Sequence, residues 1–332
     1  EAQEFTFEYQ GDKTTQAVYE FTFEDVQTSV ELSKADLTDG KELPGASLQV
    51  LDSNGTVVEE WISTDEPHLI RGLLVGETYT MVETKPADGY TTAESIEFKV
   101  EDTAEVQKHQ MLDDVTKVEI SKTDVTDSKE VPGAKLTILD KDGKVVESWV
   151  SDKDPHMVEK LPVGTYTLRE EQAPDGYLVA EEVSFEVKDT GEIQKVEMKD
   201  ARPTGKLILK KTDAEDGSPL AGAEFELRIK KSGKVVATLV TDEEGVATSG
   251  DIPIASYKDG KMKKEIEYIL VETKAPDGYV RSEKEESVVF EYKDGKTKEI
   301  EITKELTNER IPTGGYVKSP KTGDDTNIWL PI

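Results

Sequence analysis

The 332-residue sequence predicts an all-β protein built from tandem β-sandwiches. Three observations carry this reading. First, the chain repeats itself: SKADLTDGKELPGASLQVLD (33–52) aligns with SKTDVTDSKEVPGAKLTILD (121–140) and, more loosely, with KKTDAEDGSPLAGAEFELRI (210–229). A second block follows in each unit, TYTMVETKPADGY (78–90), TYTLREEQAPDGY (165–177) and EYILVETKAPDGY (267–279), so one unit spans roughly 90 to 110 residues, the size of a small domain. Second, runs such as LQVLD, VVEEW, TYTMVE and IEFKVE are short, alternate in polarity, are rich in β-branched and aromatic residues, and are separated by NG, DG, SG and PADGY turns. Third, no helical period of useful length appears.

Taken in order, residues 1–27 (FTFEYQGDKTTQAVYEFTFED at 5–25) resemble the end of a unit, FEVKDTGEIQKVEMKD at 185–200. They are expected to be the terminal strands of a preceding domain whose beginning is missing. Three full domains follow at 28–115, 116–203 and 204–312, joined by the short linkers VTK (115–117) and ARPTG (201–205). The third carries an insertion near 250–267, GDIPIASYKDGKMKKEIE, expected to be an enlarged loop or hairpin that the fold tolerates without using. Residues 313–332 turn Gly- and Pro-rich and end as an apolar run begins.

Composition excludes several classes. With 41 basic and 71 acidic residues the net charge is -30, which repels phosphate backbones and anionic lipid, so no nucleic acid or membrane-surface partner is expected. The absence of cysteine removes disulfides, thiolate nucleophiles and cysteine metal sites. His68 and His156 occupy matching positions in two units but lack further ligands at metal spacing, and DKDGK (140–144) lacks the acidic residues of a calcium loop and reads as a hairpin turn. No Ser/His/Asp arrangement or phosphate loop is present, so neither metal nor cofactor is expected.

The informative residues are polar groups on inward faces. In VEISKTD (118–124), Lys122 shares a strand face with Val118 and Ile120; Lys34 follows Val30 and Leu32 in the same way, and Lys211 follows Leu207 and Leu209. The second block places Glu83, Glu170 and Glu272 in line with Tyr79 and Met81, Tyr166 and Leu168, and Tyr268 and Leu270. Near the end of each unit Asp113 follows Met111, Asp200 follows Val196 and Met198, and Asn308 follows Leu306.

Burying an unpaired ammonium or carboxylate costs several kcal/mol unless it is paired or neutralised. A dry pocket lowers a lysine pKa and raises a glutamate pKa, giving a neutral, nucleophilic amine beside a carboxylic acid. Set against the side-chain carbonyl of Asp or Asn, that amine can form an amide, with water or ammonia leaving. A buried ion triad without chemistry is the competing reading.

The motifs K-x-D, LPGA, E-T-x-A-P-x-G-Y and a terminal Asp or Asn, in fixed order over most of residues 28–312, resemble the CnaB-type (SpaA-like) domains of Gram-positive surface proteins and pilins. The resemblance implies immunoglobulin-like, prealbumin-like sandwiches in an elongated, monomeric rod. It also implies intramolecular isopeptide bonds Lys34–Asp113, Lys122–Asp200 and Lys211–Asn308, catalysed by Glu83, Glu170 and Glu272 respectively. The first unit departs from the pattern with KPADGY in place of APxGY. Asp25 lies as far before Lys34 as Asp113 lies before Lys122, and so reads as the partner residue of the incomplete leading domain.

SPKTG (319–323) resembles the sortase motif LPxTG with Ser319 in the leucine position, which implies cleavage between Thr322 and Gly323, attachment to peptidoglycan, and an extracellular, wall-anchored location. The expected function is a covalently locked surface stalk rather than a turnover enzyme. The alternatives are an adhesin for a host matrix protein and a sortase-assembled pilin subunit partnered by other pilin subunits; no pilin lysine motif such as YPKN is present.

Overall fold

The computed structural model describes residues 25–312 throughout and, before them, residues 4, 6, 11 and 20–22. The remnant domain expected at 1–27 and the sorting signal with Thr322 and Gly323 therefore lie almost wholly or wholly outside the described residues; Asp25 is exposed and belongs to no strand. Every regular element among the described residues is a β-strand. By compactness the chain divides into one unit of Glu1–Ala87 with Thr92–Asp114 and a second of Asp88–Thr91 with Val115–Ile332.

The first unit contains β1 (Ser29–Asp36), β2 (Ser47–Leu51), β3 (Val57–Ile62), β4 (His68–Arg71), β5 (Thr78–Lys85), β6 (Ile96–Lys99) and β7 (Val106–Asp113). They form two sheets, β4-β1-β7 and β3-β2-β5-β6. Inward alternation dictates the packing between them: Val30 and Leu32 of β1, Leu48 and Val50 of β2, and Tyr79 and Met81 of β5 are all buried.

The second unit opens with the same order in β8 (Lys117–Asp124), β9 (Lys135–Leu139), β10 (Val145–Val150), β11 (His156–Glu159), β12 (Gly164–Gln172), β13 (Val183–Val187) and β14 (Ile193–Asp200), again as sheets β11-β8-β14 and β10-β9-β12-β13. DKDGK makes the turn between β9 and β10: Asp140 Oδ1 accepts from the amides of Asp142 and Lys144, each at 2.9 Å.

The third sandwich follows in the same unit, with β15 (Thr204–Asp213), β16 (Glu224–Ile229), β17 (Val235–Val240), β18 (Val246–Thr248), β19 (Ile252–Pro253), β20 (Ala255–Lys258), β21 (Lys261–Glu265), β22 (Glu267–Lys274), β23 (Glu286–Val289) and β24 (Glu299–Asn308). The insertion is narrower than the sequence suggests. Ile252–Pro253 pairs with β15 as part of the sandwich, and only β20 and β21 form an extra hairpin.

One feature of the topology positions the polar residues. In every sandwich the first and last strands run parallel and adjacent: β1 with β7, β8 with β14, β15 with β24. Parallel neighbours cannot be joined by a tight turn, so everything between them in sequence forms the rest of the sandwich. The chain thus enters each sandwich at one end and leaves it at the other.

Candidate functional site: a buried lysine, glutamate and aspartate or asparagine in each sandwich

The register of the parallel pair sets Lys34 opposite Met111 and Lys122 opposite Met198, so the next inward residue of the last strand, Asp113 or Asp200, reaches the amine. Lys34 Nζ contacts Asp113 Oδ1 and lies 2.9 Å from Glu83 Oε1. Lys122 Nζ contacts Asp200 Oδ1 and lies 3.2 Å from Glu170 Oε2. All six residues are at most 5% exposed. The structure thus brings both sequence-derived trios together in the core between the sheets.

Burial, opposed by the neighbouring lysine and reinforced by the neighbouring glutamate, pushes the carboxyls of Asp113 and Asp200 up to about 7 each. A protonated aspartate is the better electrophile, since a carboxylate resists attack at its carbon. The second oxygens, Asp113 Oδ2 and Asp200 Oδ2, are buried without a hydrogen-bond partner.

Backbone groups hold the trios in place, and these the sequence did not reveal. The amide ten positions after each glutamate donates to its carboxylate: Ala93 to Glu83 at 2.7 Å, Ala180 to Glu170 at 2.6 Å and Ser282 to Glu272 at 2.5 Å. The lysine backbone is fixed as well. In the first two sandwiches its amide donates to Glu42 (3.2 Å) or Glu130 (3.0 Å), and its carbonyl accepts from Leu43 or Val131, at 2.7 Å each. The constant spacing was visible in the repeats, but an amide has no side-chain signature.

The aspartate of K-x-D has a separate task. Asp124 Oδ2 accepts from Tyr177 Oη and Arg202 Nε, both at 2.7 Å, and Asp213 Oδ2 accepts from Tyr279 Oη at 2.7 Å and Arg310 Nε at 2.6 Å. The tyrosine ends the PDGY turn, and the arginine stands two residues after Asp200 or Asn308. Although burial opposes it, hydrogen bonds from Tyr177, the Thr126 amide and Arg202 hold the Asp124 carboxyl below its ordinary value.

The third site is arranged differently. Lys211, Glu272 and Asn308 are all buried, at 1%, 1% and 3% exposure, but Lys211 Nζ donates to the Thr307 carbonyl at 2.9 Å and lies 3.5 Å from Glu272 Oε1. Asn308 Nδ2 donates to Glu272 Oε2 at 3.2 Å and to the Val280 carbonyl at 2.7 Å, leaving Oδ1 buried and unpaired. Burial holds the Lys211 amine below its ordinary value. A cavity of about 520 Å³ adjoins it, lined among others by Phe225, Glu272, Lys304 and Leu306. Leu306 is only partly buried, whereas Met111 and Met198 at the matching positions are fully buried. Lys210 points outward and pairs with Glu305 at 3.3 Å.

His68 and His156 open β4 and β11 and stack on Trp61 and Trp149, with ring centroids 4.4 Å apart in both cases. Each imidazole also meets a glutamate, Glu59 at 3.0 Å or Glu147 at 2.6 Å. These contacts tie one sheet to the other at the sandwich edge.

The SpaA prealbumin-like fold domain family matches residues 28–114, 116–202 and 205–306, well over half of the chain. The chain belongs to this family. Among solved structures, the TIE protein of Bacillus anthracis is 28% identical with a TM-score of 0.57, over 86% of this SpaA-family chain and 52% of the TIE chain. The chain therefore spans about half the length of that relative. BcpA, the major pilin subunit of Bacillus cereus, is 19% identical with a TM-score of 0.49, over 86% of this chain and 100% of BcpA. The full-length major pilin SpaD from Corynebacterium diphtheriae is 16% identical with a TM-score of 0.39, over 86% of this chain and 98% of SpaD. No curated protein matches the chain.

Proposed function

We propose that this chain is the stalk of a surface protein whose three sandwiches are each locked by a self-formed amide between the lysine of the first strand and the Asp or Asn of the last. The observation that carries the reading is the contact of a buried lysine amine with a buried aspartate beside a buried glutamate, present in two sandwiches.

The uncharged amine attacks Cγ of the protonated aspartate. The N–C bond forms as the C–O bond breaks, and Glu83 or Glu170, held by the amide of Ala93 or Ala180, passes an amine proton to the departing hydroxyl, which leaves as water. At the third site Glu272 faces Asn308 Nδ2; the N–C bond forms there as the Cγ–Nδ2 bond breaks, and Glu272 passes an amine proton to the departing nitrogen, which leaves as ammonia. Reaction there requires Lys211 to turn from the Thr307 carbonyl to the asparagine carbon. Each site reacts once with itself, so nothing is turned over.

The lock fits a load-bearing role because of where it sits. Lys34 is in the second half of β1 and Asp113 is the last residue of β7. Tension entering β1 crosses the amide and leaves at once, bypassing every strand between. Closing a loop of this size also removes unfolded-state entropy worth about 4–5 kcal/mol, by analogy with a disulfide. At the C-terminus, SPKTG resembles a sortase substrate, and we infer attachment there to peptidoglycan outside the cell.

Intact mass spectrometry tests the chemistry. A deficit of two waters and one ammonia relative to the sequence is expected, and an unmodified mass overturns the proposal.

A further inference from the structure

The hairpin of β20 and β21 packs on the third sandwich's core through Ala255, Tyr257 and Met262, and it also reaches the second sandwich. The Tyr257 hydroxyl donates to the Gly176 carbonyl at 2.5 Å, its ring meets the edge of Tyr177 at 5.2 Å, and the Arg202 guanidinium lies over it at 4.0 Å. Two glycines record how close the surfaces come. A Cβ on Gly260, at the hairpin tip, would fall 2.0 Å from the Glu130 carbonyl oxygen, and one on Gly176 would fall 2.6 Å from Met262 Cβ. Gly260 also has a φ of 65°, in the left-handed region.

The residues covered this way are those that hold Lys122. Glu130 accepts the Lys122 amide through its carboxylate, and Val131, in one buried cluster with Tyr177, donates to the Lys122 carbonyl. Tyr177, fully buried, donates to Asp124, two residues beyond the lysine. On the other side Arg202, two residues beyond Asp200, bonds Asp124 and stacks on Tyr257. The groups that fix the Lys122 backbone and Asp124 are thus packed beneath the hairpin or directly against it, while the Ala180 amide that holds Glu170 comes from the second sandwich itself.

We propose that docking of this hairpin completes the second sandwich's site, so that the Lys122–Asp200 bond forms efficiently only after the third sandwich has folded against it. This rests on the amide-forming function proposed above. Its physical basis is that such chemistry needs the amine dry and held within a fraction of an ångström. Without the hairpin, Tyr177 and Val131 lose their cover, and water reaches the strand carrying Lys122.

The test uses the full chain, wild type and Gly260→Val, isolated at one fixed short time after a pulse of synthesis, with each cross-linked peptide quantified by mass spectrometry. The valine clashes with the Glu130 backbone while leaving the second sandwich's own residues unchanged. The linked fraction at Lys122–Asp200 is expected to fall several-fold, with Lys34–Asp113 and Lys211–Asn308 unchanged. An undiminished Lys122–Asp200 fraction overturns the proposal. A wild type with no cross-linked peptide overturns the underlying function instead. Met262→Lys, opposite Gly176, provides a second variant: if both variants lose the Lys211–Asn308 bond as well, the hairpin serves only the folding of the third sandwich, and the proposal fails.

Discussion

Lys34 and Asp113 stand 79 positions apart in sequence, yet their side chains touch across a parallel pair of strands, in a core from which water is excluded. Glu83 completes the site at 2.9 Å from the amine.

Removing the glutamate should leave the partners together but unjoined. Glu83→Ala is expected to restore the mass of one water, and under force the first sandwich of that variant should open, releasing ~280 Å of chain for the 79 positions between Lys34 and Asp113. The wild-type sandwich should release none of it. Equal extension in single-molecule pulling of the two proteins would remove the mechanical role.

Asp113 and Asp200, raised to about 7, should impose a pH limb on bond formation. A carboxyl with a raised folded-state value holds its proton more firmly folded than unfolded, so its neutral form is favoured below about pH 7 and lost above it. When unlinked, denatured chain is diluted into native buffer, linkage at these two sites should slow as pH rises through about 7. Lys211–Asn308 should lack that limb, because a carboxamide does not titrate. The same pH profile at all three sites would count against a protonated aspartate as the electrophile.

Asp124 titrates in the opposite sense. Its carboxyl is held below the ordinary 3.8, so its stabilising contribution is present above that value and is lost as pH falls through the lowered one. Asp124→Asn should cost about 1.5–3 kcal/mol at neutral pH, the value of a hydrogen bond to a charged group. The difference from wild type in urea unfolding should shrink in acid. A difference that stays constant down to low pH would show that the ionised form is not what Tyr177 and Arg202 recognise.

The cavity beside Lys211 should be improvable. Leu306→Met introduces the side chain that fills this position in the other two sandwiches, and it is expected to stabilise the third by up to about 1 kcal/mol. The comparison is best made by chemical denaturation in a Glu272→Ala background, where linkage does not intervene. A loss of stability would mean that the cavity walls have already closed around leucine.

The repeats and the two-residue alternation determined much by themselves. They dictated short strands in paired sheets, and strand parity alone separated inward Lys211 from outward Lys210 and put Glu83, Glu170 and Glu272 on the core face. Such features are local, and a strand's period is written in its own residues. Three things were decided only by the tertiary structure. The amides of Ala93, Ala180 and Ser282 anchor the glutamates; Lys211 turns to the Thr307 carbonyl rather than to Asn308; and the hairpin at 255–265, which the sequence offered as a tolerated insertion, packs over the residues that hold Lys122. These depend on backbone groups and on surfaces that meet across distant parts of the chain, where neither periodicity nor composition leaves a mark.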